Sequence, residues 1–202
     1  LDKATTAKIR KKIIYVLGSF GTDKANKKLI ELIKNDKDNE TRREAIFWLG
    51  QNSESEETAA LFTNLVLNDP DQEIQKRAIF AIAQMSQEKA LKQLKDISRN
   101  HDNPVLRSEA VFWLGQMQGN PELAGILKDF IINDPELSVQ KKAVFALSQF
   151  DNEISEKELI EIARTHKSMQ IRGEAIFWLG QNSNSEKVFD ALKEFTMNDS
   201  EP

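Results

Sequence analysis

The sequence predicts an all-α fold, an α-α superhelix of about twelve antiparallel helices, on three observations: a recurring signature, its spacing and its short connectors. The six signature copies are RKKIIYVLGS (10–19), RREAIFWLGQ (42–51), QKRAIFAIAQ (75–84), RSEAVFWLGQ (107–116), QKKAVFALSQ (140–149) and RGEAIFWLGQ (172–181). Successive copies lie 32 or 33 residues apart, so the true period is a double unit of 65 residues. Connectors of two to four residues require neighbouring helices to pack antiparallel.

Each repeat is predicted to contain two helices: a B helix that carries the signature, and an A helix between successive signatures. The chain is expected to start inside a B helix. The predicted ranges are about Thr5–Phe20, then Asp23–Asn35, Asn39–Asn52, Ser55–Asn68, Asp71–Met85, Glu88–Asn100, Pro104–Met117, Pro121–Asn133, Glu136–Phe150, Ser155–Thr165, Met169–Asn182 and Ser185–Met197. The A helices show apolar residues at three- and four-residue spacing, as in Leu61, Phe62, Leu65 and Val66.

Local signals predict where several helices begin. Asp69-Pro70 and Asp134-Pro135 each offer an N-cap followed by proline at the first helical position, which predicts that B helices start there. Ser155 to Glu158 has the spacing of a capping box, which predicts the start of an A helix.

The repeats predict a single domain over residues 1–202, with five full helical hairpins and a half repeat at each end. The final A helix carries Val188, Phe189, Leu192 and Phe195, whereas natural solenoids finish with polar capping units. We therefore expect a piece of a longer protein, or a non-repeat segment that covers the ends.

Composition narrows the chemistry. The chain has no cysteine, which excludes disulfides and thiolate chemistry, and only two histidines, His101 and His166. These histidines lie one double unit apart in connectors, which indicates turn residues and not a catalytic or metal-binding pair. No apolar run approaches the roughly 20 residues of a membrane span, and no secretory signal is evident. The localisation is left open between cytoplasm and periplasm.

The signature resembles the HEAT repeat family, specifically the short bacterial kind found in phycobilisome lyases. The residues that carry the resemblance are Asp69-Pro70-Asp71, Ile74, Ala110-Val111, Leu114-Gly115, Leu106-Arg107 and Ile171-Arg172. The resemblance implies a superhelix whose B helices line the concave surface, and a function as a scaffold that binds other proteins. Two features depart from the family pattern: Gln75 and Gln140 replace the arginine, and a Phe-Trp or Phe-Ala pair stands where the family tolerates a surface residue and a small one.

Helical geometry assigns faces to the signature residues, at about 100° per residue from the central alanine. The residues four before, one after and four after this alanine form the predicted buried stripe. The position three after it alternates between large and small, and lies on the flank of the stripe. Its residues are Trp48, Ala81, Trp113, Ala146 and Trp178. Close packing between repeats explains this alternation, and a binding surface is the alternative.

An aromatic ladder lies two residues after the alanine, at about 200° from it, opposite the buried stripe. Its members are Tyr15, Phe47, Phe80, Phe112, Phe145 and Phe177. Either each ring lies partly buried across a neighbouring B helix, or the rings form an exposed strip that receives a partner. Beside them lie Gln51, Gln84, Gln116, Gln149 and Gln181, which could bind the backbone of an extended peptide or only each other.

The two positions before the alanine share this face and carry a net charge of +4, although the whole chain carries −4. Their cations include Lys76, Arg77, Lys141 and Lys142. This charge favours an acidic or mixed-charge protein segment as partner, and ordinary solvated helix faces are the alternative. Arginines three before the alanine are expected to pair with the turn aspartates Asp36, Asp69 and Asp134 in a structural ladder.

The leading hypothesis is a non-enzymatic scaffold that binds a peptide or protein on the concave B-helix face, without cofactor or metal. No nucleophile elbow, phosphate loop or metal-ligand spacing is present in the sequence. Nucleic-acid binding is an alternative, but it predicts an unbroken basic groove, which Glu44, Glu109 and Glu174 interrupt. A tetrapyrrole (bilin) lyase is a further alternative, suggested only by the repeat subtype.

Overall fold

A computed structural model describes residues 7–117, 120, 122–150, 152–182 and 185–198, and every secondary-structure element in these ranges is an α-helix. The helices are α1 (Ala7–Phe20), α2 (Asp23–Asn35), α3 (Asn39–Asn52), α4 (Glu56–Asn68), α5 (Gln72–Ala83), α6 (Gln87–Asn100), α7 (Pro104–Gln116), α8 (Glu122–Asn133), α9 (Leu137–Ser148), α10 (Asn152–Thr165), α11 (Met169–Asn182) and α12 (Glu186–Asn198). The all-α prediction is confirmed, and the predicted bounds of α2, α3 and α11 agree with the structure.

Contacts between helices divide the chain into two compact units, Leu1–His101 and Asp102–Pro202. In the first unit the B helices α1, α3 and α5 pack side by side, and the A helices α2 and α4 pack on the B helices that follow them. The second unit repeats this order, because α7, α9 and α11 pack side by side while α8 and α10 cover α9 and α11. The single continuous array stays a prediction.

The predicted buried stripe forms the core of both units. In α5 the central Ala78 and its stripe residues Ile74, Ile79 and Ile82 are fully buried, and Val139, Ala143, Val144 and Leu147 of α9 are their fully buried equivalents. The A helices supply the other half of the core through side chains such as Phe62. Burial of each large side chain stabilises the fold by roughly 1.5–3 kcal/mol.

Two predicted helix starts are wrong. Asp69 is the C-cap of α4, and Asp71 is the N-cap of α5, where its carboxylate accepts from the backbone N–H groups of Glu73 and Ile74. Glu136 occupies the N-cap position of α9, so Asp134 also precedes the helix start. Pro70 and Pro135 therefore lie in connectors. The aspartate before each proline pairs with an arginine of the preceding B helix.

The predicted start of the A helix at Ser155 is also wrong. Helix α10 begins at Asn152, which places the buried Ser155 inside the first turn. Glu153 places a negative charge in the first turn, which suits a helix N-terminus, and the earlier start adds a turn to α10.

The predicted arginine ladder is confirmed. Arg42 pairs with Asp69, and Arg107 forms two hydrogen bonds to the Asp134 carboxylate at 3.1 and 3.0 Å. Arg10 approaches Asp36 at 3.9 Å. The hydrogen bonds to Asp134 raise the pKa of the Arg107 guanidinium further above its ordinary value.

In the first unit, the substitution of glutamine for arginine keeps a hydrogen bond to a backbone carbonyl. Arg42 donates from Nε to the carbonyl of Ile33 at 3.0 Å, and Gln75 donates from Nε2 to the carbonyl of Val66 at 3.0 Å. Both acceptors lie nine residues before the donor, so glutamine reproduces the backbone contact without the ion pair.

The two histidines are turn residues, as predicted. His101 Nε2 lies 3.2 Å from the carbonyl oxygen of Val66, and His166 Nε2 lies 3.0 Å from that of Ile131. Since the backbone N–H of Ser168 donates to Nδ1 of His166, the proton of this ring must be on Nε2. Each histidine thus ties a connector to the end of an A helix in the preceding repeat.

Candidate partner-binding face

The first unit contains a cluster of two rings and a cation. Phe47 of α3 and Phe80 of α5 have nearly parallel rings, with centroids 6.0 Å apart and an interplanar angle of 9°. The guanidinium carbon of Arg77 lies 5.9 Å from the centroid of Phe47 and 5.7 Å from that of Phe80. These distances are within the range of cation–π attraction, so one arginine stabilises both rings.

The second unit contains the same cluster with a different cation. Phe112 of α7 and Phe145 of α9 have centroids 6.0 Å apart and an interplanar angle of 7°. Lys142 Nζ lies 5.4 Å from the centroid of Phe112 and 5.6 Å from that of Phe145. We call the cluster of each unit, with Tyr15, Gln51 and Gln84 in the first unit and with Phe177, Gln116, Gln149 and Gln181 in the second, the ring face of that unit.

A second alternation explains why the cation occurs in every other repeat. Repeats with tryptophan three after the alanine have glutamate one before it, whereas repeats with alanine there have lysine or arginine. Glu109 accepts a hydrogen bond from Trp113 Nε1 at 2.9 Å, and Glu174 accepts one from Trp178 Nε1 at 2.9 Å. The glutamate therefore satisfies the indole N–H. Sequence reasoning missed this pair, although the two positions change together along the chain.

Trp48 and Trp178 pack against the preceding B helix, and both also border the ring face. A Cβ added to Gly18 of α1 would collide with the indole of Trp48, and one added to Gly50 would lie 2.9 Å from Cβ of Ala81. Large and small residues thus alternate against a neighbouring glycine, as the packing interpretation predicts. All three tryptophans remain half-buried, and Trp48 and Trp178 contact the rings of Tyr15 and Phe145 edge to face.

The rings of the aromatic ladder differ in their exposure. Phe47, Phe80, Phe112 and Phe145 are half-buried, because each lies against a ring of a neighbouring B helix. Tyr15 and Phe177 are 58% and 53% exposed. The glutamines Gln51, Gln84, Gln116, Gln149 and Gln181 are all exposed. Ring edges and exposed amide groups therefore occur together, and Gln149 Nε2 already donates to Ser148 Oγ at 3.0 Å.

The remaining predicted cations differ in their surroundings. Lys76 pairs with Glu73 at 2.9 Å on its own helix, and Lys141 is half-buried. On α1 and α3, Lys11 and Arg43 both bind the carboxylate of Glu40, and these two hydrogen bonds lower the pKa of Glu40 to about 2. The charge count from the sequence therefore overstates the net positive charge near α1. Glu40 binds both Lys11 and Arg43, and its negative charge offsets one of these two positive charges.

Two asparagines were missed by sequence reasoning. Asn52 at the end of α3 donates to the carbonyl of Gly18 at 2.5 Å, and Asn182 at the end of α11 donates to the carbonyl of Ser148 at 2.7 Å. Each closes the last turn of the preceding B helix, whose carbonyls lack helical partners. The signal was available, because both asparagines follow a tryptophan copy of the signature at the same spacing.

The described residues contain no cluster of acidic, histidine or cysteine side chains that could hold a metal ion. Within the same ranges, no helix has the length and apolarity required to cross a membrane. The ring face itself presents stacked rings, cations held over them and exposed amides.

Known proteins share parts of this sequence and its fold. Residues 26–111 match the family model described as HEAT repeats. The complex of CpcE and CpcF of phycocyanin lyase from Nostoc sp. PCC7120 contains a chain of similar fold, with a TM-score of 0.54 and 18% identity, over 78% of this chain and 99% of that chain. No curated protein matches the sequence. Residues 26–111 thus match HEAT repeats, and the chain shares the fold of the solved neighbour.

Proposed function

We propose that the chain is a non-enzymatic scaffold that binds an acidic or mixed-charge peptide or protein segment on its ring face. The observation that carries the proposal is the pair of ring–cation clusters, Phe47–Arg77–Phe80 and Phe112–Lys142–Phe145, which recur in both units with the same ring spacing. By resemblance to HEAT repeats, this B-helix face is the concave one.

The rings suit a protein partner because they are held in place before binding. Each half-buried ring is fixed by its neighbour and by a cation, so little conformational entropy is lost when a ligand covers it. Aromatic and arginine side chains are enriched among the residues that contribute most to protein–protein binding. The exposed glutamines beside the rings supply donors and acceptors for the backbone of an extended segment.

The charges select the kind of partner. Arg77 and Lys142 lie over rings and are only partly exposed, so a carboxylate that reaches them meets a partly desolvated cation. Such pairs contribute more to specificity and association rate than to affinity. Glu109 and Glu174 lie on the same helices as neighbouring rings, which favours a partner with both signs of charge over the uniformly anionic nucleic acids.

The solved neighbour is a complex of two proteins of a lyase. That assembly supports a protein as the partner of this chain, and no observation in the ring face favours bilin chemistry over protein binding. Mixing the chain with a bilin and recording the absorbance tests the lyase alternative, for which a shifted spectrum is required.

A selection experiment tests the proposal. The chain is immobilised, a library of random displayed peptides is selected on it, and the affinities of enriched peptides are measured by fluorescence anisotropy. We expect enrichment of acidic peptides with apolar residues. The double variant Arg77→Gln with Lys142→Gln should weaken their binding on the order of tenfold, because each pair contributes on the order of 1 kcal/mol.

The matched control is Lys89→Gln with Lys128→Gln, which removes the same charge from A helices, where these lysines pair with Glu56 and Glu158. This control should leave peptide binding unchanged. Equal losses in both double variants would show that only net charge matters, and tighter binding of labelled duplex DNA than of every peptide would favour the nucleic-acid alternative.

A further inference from the structure

The ring–cation cluster is complete within each unit. In the first unit, α3 and α5 supply both rings and the cation, and in the second unit α7 and α9 do so. The members of the two clusters are Phe47, Arg77 and Phe80, and Phe112, Lys142 and Phe145. Each unit therefore contains all the groups of such a cluster without help from the other unit.

The cation of each cluster has no carboxylate partner. Among the described residues, Arg77 and Lys142 form no ion pair, whereas Lys76, next to Arg77 in the sequence, pairs with Glu73 at 2.9 Å. Both unpaired cations are half-buried, so water reaches their charge only in part. A charge-assisted hydrogen bond from a ligand carboxylate is the contact that this position lacks.

Cation and ring lie side by side on one face of their helix. Arg77 precedes Phe80 by three residues, and Lys142 precedes Phe145 by three residues, which makes each pair neighbours on the helix surface. The distances from the two cations to the four ring centroids all fall between 5.4 and 5.9 Å. A ligand that contacts both groups therefore needs two side chains at a similar separation.

An exposed amide lies one helical turn beyond a ring of each cluster. Gln51 follows Phe47 by four residues in α3, and Gln116 follows Phe112 by four residues in α7. Both glutamines are exposed, and neither side chain forms a hydrogen bond within the described part of the chain. A glutamine amide offers a donor and an acceptor, which suits the backbone of a ligand.

An extended peptide provides the required separation with one residue in between. Successive side chains of an extended chain point to opposite faces, so residues i and i+2 share a face and lie roughly 6.5 Å apart. Adjacent residues of an extended chain cannot contact cation and ring together, because one of their side chains points away from the surface. The register that fits is thus a carboxylate and an apolar side chain separated by a single residue.

We infer that each unit binds one copy of this extended motif, so that one chain binds two copies. The inference rests on the proposed function of the ring face. The carboxylate of the motif pairs with Arg77 or Lys142, its apolar side chain packs on the ring pair, and Gln51 or Gln116 binds its backbone. The same motif suits both units, because the two clusters have the same ring spacing of 6.0 Å.

Isothermal titration calorimetry with synthetic peptides counts the sites. Each peptide carries one glutamate and one phenylalanine, separated by one serine, in a background of serine and glycine, and both orders are measured. For the order that binds, we expect two peptides per chain at saturation. Arg77→Gln should weaken one site on the order of tenfold and leave the other unchanged, and Lys142→Gln should weaken only the other site.

The matched control is Lys89→Gln, which removes one charge from the A helix α6, where this lysine pairs with Glu56. It should bind two peptides with the affinities of the unchanged chain. A peptide whose glutamate and phenylalanine are adjacent tests the register. This peptide should bind both sites on the order of tenfold more weakly, because only one of its two side chains reaches the surface.

The possible outcomes separate this inference from the proposed function. A single site that both substitutions weaken would overturn the inference and leave peptide binding by the ring face intact. Equal affinity for the spaced and the adjacent peptides would overturn the extended register. Failure of the spaced peptides to bind, while peptides selected from the random library do bind, would also overturn the inference alone. Failure of the selected peptides as well would remove the proposed function together with it.

Discussion

The ring clusters of the two units contain different cations. The distances between the two rings, and from the cation to each ring, are nearly the same in both units. Arg77 and Lys142 occupy equivalent positions between ring pairs whose centroids are 6.0 Å apart in both units. Arginine presents a planar group and lysine a compact charge, yet the rings do not adjust to the difference. The ring spacing is therefore determined by the packing of B helices, which both units share, and not by the cation.

A second difference concerns Glu40. In the first unit this carboxylate accepts hydrogen bonds from Lys11 and Arg43, whereas Val105 and Ser108 occupy the positions of Glu40 and Arg43 in the second unit. The repeats thus keep the contacts that determine helix packing and vary the exposed pairs, which contribute little to stability.

The largest expected effect comes from the arginine ladder. Arg107→Ala leaves the buried Asp134 without its bidentate partner, and this should lower the free energy of unfolding by about 3 kcal/mol in urea denaturation. Arg42→Ala should have a comparable effect in the first unit, because Asp69 is buried in the same way. A clearly smaller loss at one site would show that the units are not equivalent.

Arg107→Gln is the matched control, since Gln75 and Gln140 occupy this position in other repeats. Glutamine keeps a donor for a backbone carbonyl. Arg107→Gln should therefore lower the free energy of unfolding, but by less than Arg107→Ala does. A loss as large as that of alanine would contradict the equivalence of the two residues.

The glycines should respond in opposite directions. Gly115→Ala places a methyl group 2.9 Å from Cα of Ala146, and the overpacking should cost about 1–2 kcal/mol after the gain in helix propensity. Gly180→Ala meets no atom within 4 Å and should stabilise α11 by up to about 1 kcal/mol. Thermal unfolding in dilute solution measures both, and equal shifts in the two variants would contradict the packing described here.

The smallest effect should depend on pH. The pKa of Glu40 is lowered from 4.5 to about 2, so its contribution to stability is present above about 4.5 and is lost as the pH falls toward 2. The contribution is small because the pair is largely exposed to solvent. Glu40→Gln should flatten the fall in stability across this range, relative to the unchanged chain. A parallel fall in both proteins would assign the acid sensitivity to other carboxylates.

Much of the fold followed from the sequence, because a fixed period and regular apolar spacing determine which helices exist and which faces they bury. The starts of α5 and α9 did not follow, because an Asp-Pro pair suits a helix start as well as a connector. Only the contact of Asp69 with Arg42 decides between these two. The sequence left open whether the Phe80 ring, at about 200° from the central alanine, is exposed or partly buried. A helical wheel omits the neighbouring helix that half covers this ring. The bonds of Glu109 and Asn52 needed coordinates, although their periodic recurrence could have drawn attention to them.

The measurement that tests the central claim most directly is the affinity of a selected peptide for the triple variant Phe80→Ser, Phe112→Ser and Phe145→Ser, recorded together with its unfolding free energy. Each half-buried ring should contribute about 1 kcal/mol to stability, so the variant should remain folded. We predict that peptide binding falls by more than about tenfold while the helical content is kept. Unchanged affinity in a folded variant would contradict the assignment of the ring face as the binding surface.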